Sequence, residues 1–294
     1  MQNIIKSTCR NFVRKPATNL INLLGLAVSL ALVIILSVYS YSELTTDNYH
    51  KNGDRVYLFS KENNAIYSPA VLKDQIDLSV PDVEASVRMA AMWQPPVFQA
   101  GDREPITSDM VFADEDFFNL FSYNAVEGNL ENALKDPMTV VLTENLAEIL
   151  FGHEPALGKT LKLNNNHYLT VSAVLEEPEA NTILSFSSLA NIETRKIVYP
   201  NGDEFKEWGW NIFQTFILLK EGCDPVETGK AISSLFPESQ EKDQPGGNLI
   251  PLEKLYFTPF MILGNAYLIL GDKRKVTILV MVAVLVMIIA LVNF

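Results

Sequence analysis

Cysteine is almost missing from this chain: only Cys9 and Cys223 among 294 residues carry a thiol. One pair cannot build a disulfide framework or a cysteine zinc site, and because a long apolar run separates the two, both are expected to be free. Histidine is nearly as scarce. His50, His153 and His167 are scattered among polar stretches without the HExxH spacing of a zinc hydrolase, and a solvated surface is the reading for each. No GxSxG elbow offers a serine nucleophile. With 35 carboxylates some pair will always be close, so a glycosidase-like pair cannot be argued from spacing. Basic residues are also short, 23 against 35 acidic ones for a net charge of −12. That balance argues against nucleic acid, whose phosphates need a basic face. The sequence nominates no catalytic, cofactor-binding or metal-binding residue.

Charge of either sign is absent from two long runs. The first, Pro16 to Ser42, has the apolar centre LINLLGLAVSLALVIILSVYSY from Leu20 to Tyr41. As a helix it spans roughly 33 Å, which matches a hydrocarbon core of about 30 Å. It is too long for the apolar region of a secretory signal, and no small-residue cleavage site closes it. The second run is VTILVMVAVLVMIIALVNF, Val276 to Phe294. The reading is therefore a transmembrane helix at 18–42, a second at 273–294, and a soluble domain at 43–272 that holds all 35 acidic residues.

Before the first span, residues 3 to 14 read as a short amphipathic helix. Ile4, Thr8 and Phe12 stack at four-residue spacing, Ile5, Cys9 and Val13 stack beside them, and Lys6, Arg10 and Arg14 form a basic stripe. Such a helix suits an anionic membrane surface, with Lys6, Arg10, Arg14 and Lys15 as the contacts. The four cations place the N-terminus in the cytoplasm. Lys273, Arg274 and Lys275 pull the other way, but the first helix usually dominates and long domains translocate largely regardless of charge.

The soluble stretch opens with a strand at Val56 to Phe59 and a helix capped by Ser68, with Pro69 at its first position, through Ile76. Val83 to Met92, Val97 to Ala100 and Met110 to Ala113 read as strands. Near the far end, Phe213 to Leu219 is a strand, Pro225 opens a helix through Leu235, and Asn248 to Tyr256 extends again. Two strand–helix–strand units sharing a sheet make a ferredoxin-like lobe over 43–113 and 201–272, with a second α/β lobe inserted at 114–200. In the insert, Asp114 caps a helix burying Phe117, Phe118 and Phe121, Thr143 caps another to Phe151, and Leu161 to Leu163 pairs with Tyr168 to Val174 across Asn164-Asn165-Asn166. The expected fold class is an α+β domain between two membrane helices.

One motif invites a functional reading. GHEPALGKT, Gly152 to Thr160, resembles a phosphate-binding loop, but it has five residues between its glycines where that loop needs four, and a helix leads into it where a strand should.

In order and spacing, five blocks carry a family likeness: RNFVRKPATNLINLLGLAVSLAL, TTDNYHKNGDRVYLFS, FADEDFFNLFSYNAVEGNLENALKDPMTVVLTENLAEILFGHEPALGKTLKLNNNHYLTVSAVLEEP, QTFILLKEGCDP and GDKRKVTILVMVAVLVMIIALVNF. Together they resemble the start of a MacB/FtsX-type ABC transporter permease with its periplasmic core domain. The resemblance implies a bacterial inner-membrane protein with a cytoplasmic N-terminus and a large periplasmic domain. ATP would be bound by a separate cytoplasmic ABC ATPase subunit and not by this chain. It implies as further partners the lipid bilayer, a second permease copy or homologue, and periplasmic or outer-membrane components, with export or mechanotransmission as the outcome. Such permeases have at least four membrane helices, so the 294-residue chain is expected to be incomplete, a fragment or the product of a truncated gene. The alternative is a two-helix membrane receptor with a periplasmic sensing domain; an enzyme tethered to the membrane comes third.

Overall fold

The structure is a computed structural model that describes residues 16–61, 64–178, 181–200, 203–237, 247–260 and 267–293. The basic segment with Lys6, Arg10, Arg14 and Lys15, and with it Cys9, lies outside the described residues. The chain divides into two compact units, the apolar ends and Thr46–Leu270.

Helix α1, Pro16–Leu44, is the first apolar end. In Thr46–Leu270 the elements follow as β1 Val56–Ser60, β2 Ser68–Pro69, α2 Val71–Ser79, β3 Val83–Ala91, β4 Val97–Gln99, β5 Ile106–Thr107, β6 Met110–Ala113, α3 Phe117–Leu120 and β7 Ala125–Gly128. Then come β8 Thr139–Thr143, α4 Glu144–Phe151, β9 Thr160–Leu163, β10 His167–Leu175, β11 Ser188–Asn191, α5 Ile192–Val198, β12 Asn211–Leu219, α6 Pro225–Ser233, β13 Asn248–Pro251 and α7 Leu252–Leu255. Helix α8, Lys273–Asn293, is the second apolar end.

All the described strands belong to one mixed sheet of order β13-β1-β12-β3-β6-β11-β8-β10-β9-β4-β5, with β2 beside β12 and β7 beside β10. Its first four strands pair antiparallel throughout, β1 between β13 and β12 and β3 beyond β12. In chain order that is fourth, first, third, second, the ferredoxin-like arrangement. Each strand–helix–strand unit straddles a strand of the other, so neither closes without its partner. From β3 the sheet runs on through β6, which pairs parallel with β11, into the 114–200 stretch, where β8 and β10 also pair parallel.

Alternation sorts the core. On β12, Phe216 and Leu218 face a cluster with Val87, Met89, Phe117 and Phe121, whereas Ile217 and Leu219 face Leu72 and Ile76 of α2 and Ile232 of α6. A strand covered on both faces reads as an unbroken apolar run, as FILL does here. A third cluster sets Leu146, Leu150 and Phe151 of α4 against Val140, Leu142, Leu161 and Val171. The phenylalanines after Asp114 are core, with Phe117 and Phe121 fully buried. Thr143 caps α4 as its spacing predicts, its Oγ1 accepting from the Leu146 N–H.

Three local expectations differ. Ser68 caps nothing: with Pro69 it forms β2, and its hydroxyl pairs with Thr215 Oγ1 at 2.7 Å and reaches the Phe213 carbonyl at 3.1 Å, leaving α2 to begin at Val71. Asp114 is taken from capping by Arg88, whose Nε and Nη2 donate to its two oxygens at 3.0 and 2.8 Å. The extended reading through Tyr256 stops at Pro251, because burying both Leu252 and Leu255 at a three-residue interval needs a helical turn. Strand β4 lies far from the β3 that precedes it in sequence, paired to β9 through Phe98 and Leu163.

In the other unit, α8 buries Val276, Ala283 and Ala290, a seven-residue repeat that gives a narrow seam toward α1. Most remaining apolar side chains of both helices are exposed, among them Ile21, Ile35, Leu285 and Val292. Asn19–Leu44 and Lys273–Val292 are long and apolar enough to cross a membrane.

Candidate functional site

The chain enters the sheet unit at Thr46 and leaves it at Leu270, and both ends are fastened to one short segment. Asp47, third residue after α1, donates its N–H to the Asn181 carbonyl at 3.0 Å, and its carboxylate accepts the Ile183 N–H at 3.2 and 3.1 Å. On the outgoing side, the Ile269 N–H donates to the Ile183 carbonyl at 2.8 Å and the Ser185 N–H to the Tyr267 carbonyl at 2.7 Å. These two bonds flank an antiparallel bridge between Leu184 and Leu268. A continued ladder would give the Ile183 N–H to residue 269; here Asp47 takes it.

Local chemistry explains why an aspartate stands at 47. Its φ is +63°, a left-handed conformation that Asp and Asn tolerate better than other side-chain-bearing residues. That turn sends the carboxylate inward, where Asp47 is only 3% exposed. His50 follows one turn later with its N–H on the Asp47 carbonyl. The imidazole is buried, Nδ1 accepting from the Ser122 N–H at 3.0 Å and Nε2 standing 3.5 Å from Asp47 Oδ1. With Nδ1 an acceptor, the neutral ring carries its proton on Nε2, facing the carboxylate. Lys51 N–H to Ser122 Oγ at 2.9 Å and Asn52 Nδ2 to the Asn119 carbonyl at 3.1 Å extend the fastening to the α3 region.

The rings of Tyr49, Phe121 and Tyr123 lie 4.2, 5.4 and 6.0 Å from the imidazole. Burial first, with the Asp47 carboxylate adding to it, holds both tyrosine hydroxyls above their ordinary range. They stay protonated beside the carboxylate. Below the outgoing strand, Tyr267 donates its hydroxyl to Gln214 Oε1 of β12 at 2.7 Å, and burial raises its pKa strongly. The clasp is thus tied into the central strand of the ferredoxin-like half. Its hydrogen bonds tie the buried Asp47 carboxylate and Ile183 to the more exposed Asn181, Ser185 and Ile269, an arrangement that can hold mechanically.

The sequence reading of His50 as a surface residue is overturned, since tertiary packing of 119–123 covers it. His153 is exposed, 3.6 Å from Glu148. In GHEPALGKT both glycines serve the turn: Gly152, at φ +69°, terminates α4, and Gly158, at +75°, donates to the Val171 carbonyl. The loop receives the carbonyl end of α4, and Lys159 is held by Glu154 at 2.6 Å. A phosphate loop presents the amide end of a helix and a lysine aimed at the anion. An open hollow of about 400 Å³ beside it is lined by Arg103, Phe151, Glu154 and Lys159. Among the described residues no group of three or more His, Cys, Asp or Glu is placed to hold a metal ion.

Sequence reasoning missed Asp47 and the 181–185 segment. The polar run TTDNYH directly after an uncharged helix was the available signal for the first, and nothing local marks the second.

A ferredoxin-like half continued by a mixed sheet, with both chain ends leading to apolar helices, defines the periplasmic α+β domain of a MacB/FtsX-type permease. The chain belongs to the MacB-like periplasmic core domain family, whose profile matches residues 20–235. Solved structures show the same fold. A domain of a putative permease protein from Porphyromonas gingivalis superimposes with a TM-score of 0.57 at 19% identity, over 73% of this chain and 95% of that one. The periplasmic region of MacB from Actinobacillus actinomycetemcomitans gives 0.52 at 12% identity, over 69% and 91%. No curated protein sequence is matched.

Proposed function

We propose that this chain is a permease subunit that couples ATP hydrolysis by a separate cytoplasmic ABC ATPase to movement of its periplasmic domain, for export or mechanotransmission. The carrying observation is that both ends of the sheet unit converge on Ile183, so that a displacement of either connecting helix reaches the same point. Family membership supports the permease class. In this reading the N-terminus is cytoplasmic, Lys6, Arg10, Arg14 and Lys15 rest on the anionic leaflet, and the 114–200 stretch is a lobe inserted in the ferredoxin-like one. ATP belongs to the partner; the bilayer and a second permease copy or homologue complete the membrane assembly, with periplasmic or outer-membrane components beyond it.

The test is to purify the full chain from bacterial membranes with its bound proteins and follow amide exchange across 46–270 with ATP and vanadate. A copurifying ABC ATPase and a nucleotide-dependent change in exchange are expected. A chain that brings down no ATPase under crosslinking, and whose exchange ignores nucleotide, would refute the assignment.

A further inference from the structure

We infer that Asp47 is the positioning residue of a two-way clasp: it couples the incoming and outgoing connections of the domain energetically, so that releasing the first loosens the second. The inference deepens the permease reading and rests on it only for its purpose; the coupling itself is a property of this fold. Ile183 is the shared element, since its N–H is held by the Asp47 carboxylate and its carbonyl holds the Ile269 N–H at 2.8 Å. The outgoing pairing is short, one bridge with two flanking bonds. Among the described residues no longer ladder fixes its register, so the position of Ile183 depends on what holds its other side.

Two contacts fix Asp47 itself. The Asn181 carbonyl takes its N–H, and His50, pinned by Ser122, stands behind its carboxylate. Thr182, between the two anchor points, bonds the Leu184 N–H through Oγ1 at 3.1 Å, stiffening the segment. Asp47 and Ile183 are both buried, so solvent does not replace their bond cheaply, whereas Ser185 and Ile269 on the outgoing side are exposed. The nearest membrane-type helix lies three residues before Asp47 and four after Ile269.

The experiment uses the full chain in lipid nanodiscs and reads amide exchange residue by residue. Asp47→Gly removes the carboxylate yet accepts the positive φ without strain, and Asp47→Asn keeps both the conformation and an acceptor oxygen. For Asp47→Gly, exchange of the Ile183, Ser185 and Ile269 amides is expected to rise together by about tenfold, with the β12 amides Thr215 to Leu218 unchanged. Asp47→Asn is expected to restore all three. If Ile183 exchanges faster while Ser185 and Ile269 keep their wild-type rates, the two connections are uncoupled and the inference fails, with the permease assignment untouched. A rise spread evenly over β12 would equally overturn it, by showing a general stabilising role. Loss of ATPase association alone bears on the assignment and not on the clasp.

Discussion

Asp47 and Ile183 stand 136 residues apart in sequence, yet the carboxylate of one holds the backbone N–H of the other inside the protein. The turn conformation at 47 and the buried bond reinforce each other. Asp47→Ala loses both at once: alanine at φ +63° costs roughly 1–2 kcal/mol, and an orphaned buried N–H costs about 1–3 kcal/mol more. Thermal melting should rank wild type close to Asp47→Asn and well above Asp47→Ala. Equal midpoints for the last two would show that the bond contributes nothing.

Arg195 is 1% exposed, yet it is held on several sides. Nε donates to Glu204 Oε1 at 2.7 Å, Nη1 to the Ala91 carbonyl at 3.1 Å, and the rings of Tyr199, Phe112 and Phe213 surround the guanidinium at 4.9, 5.6 and 5.7 Å. Glu204→Ala leaves a buried cation unpaired and should cost about 3–5 kcal/mol. The double change Arg195→Met with Glu204→Leu removes both charges and should recover much of that loss in a denaturant titration. A double variant as unstable as the single one would mean that the pair matters by shape and not by charge.

Lys61 gives a pH signature. The residue is 6% exposed, its ammonium donates to Asn211 Oδ1 at 2.6 Å, and burial pulls its pKa from 10.5 to about 8. Between those values the unfolded chain holds a proton that the folded chain lacks, so stability should rise with pH from about 8 upward. Melting midpoints between pH 7.5 and 10 should climb in wild type relative to Lys61→Met. Parallel curves would place the lysine at its ordinary value.

Cys223 tests topology against Cys9. It is partly exposed, and desolvation together with the Asp82 carboxylate raises its pKa, so maleimide labelling should be slow at neutral pH and quicken as pH rises. In intact spheroplasts an impermeant reagent should reach Cys223 and leave Cys9 untouched until the membrane is permeabilised. Labelling of Cys9 first would invert the proposed orientation.

Residues 43–113 should not fold alone. Within them β1 and β3 are separated in the sheet by β12, while β6 keeps only its short pairing with β3 and loses β11, and β4 keeps only β5 and loses β9. Expressed alone, the fragment exposes unpaired edges and should show no protected amides, whereas 43–272 should melt cooperatively. Slow exchange in the short fragment would contradict the interleaved topology.

What the sequence determined by itself is what short-range chemistry governs. Uncharged runs of bilayer length mark α1 and α8, the Thr143 cap and its apolar periodicity mark α4, and alternation about Asn164-Asn165-Asn166 marks the β9–β10 hairpin. Even the ferredoxin-like pairing was legible, because two strand–helix–strand patterns have few ways to share a sheet. The tertiary structure alone decided where polar groups would be spent. Ser68 and Asp114 look like helix caps locally, but a buried threonine hydroxyl and a buried arginine compete for them and prevail, since an unmet polar group inside costs more than a missing cap. His50 reads as a surface residue until the 119–123 turn covers it. Asp47 and Ile183 meet only because the whole sheet has closed between them, and no local pattern encodes a bond whose partners are brought together by everything that separates them.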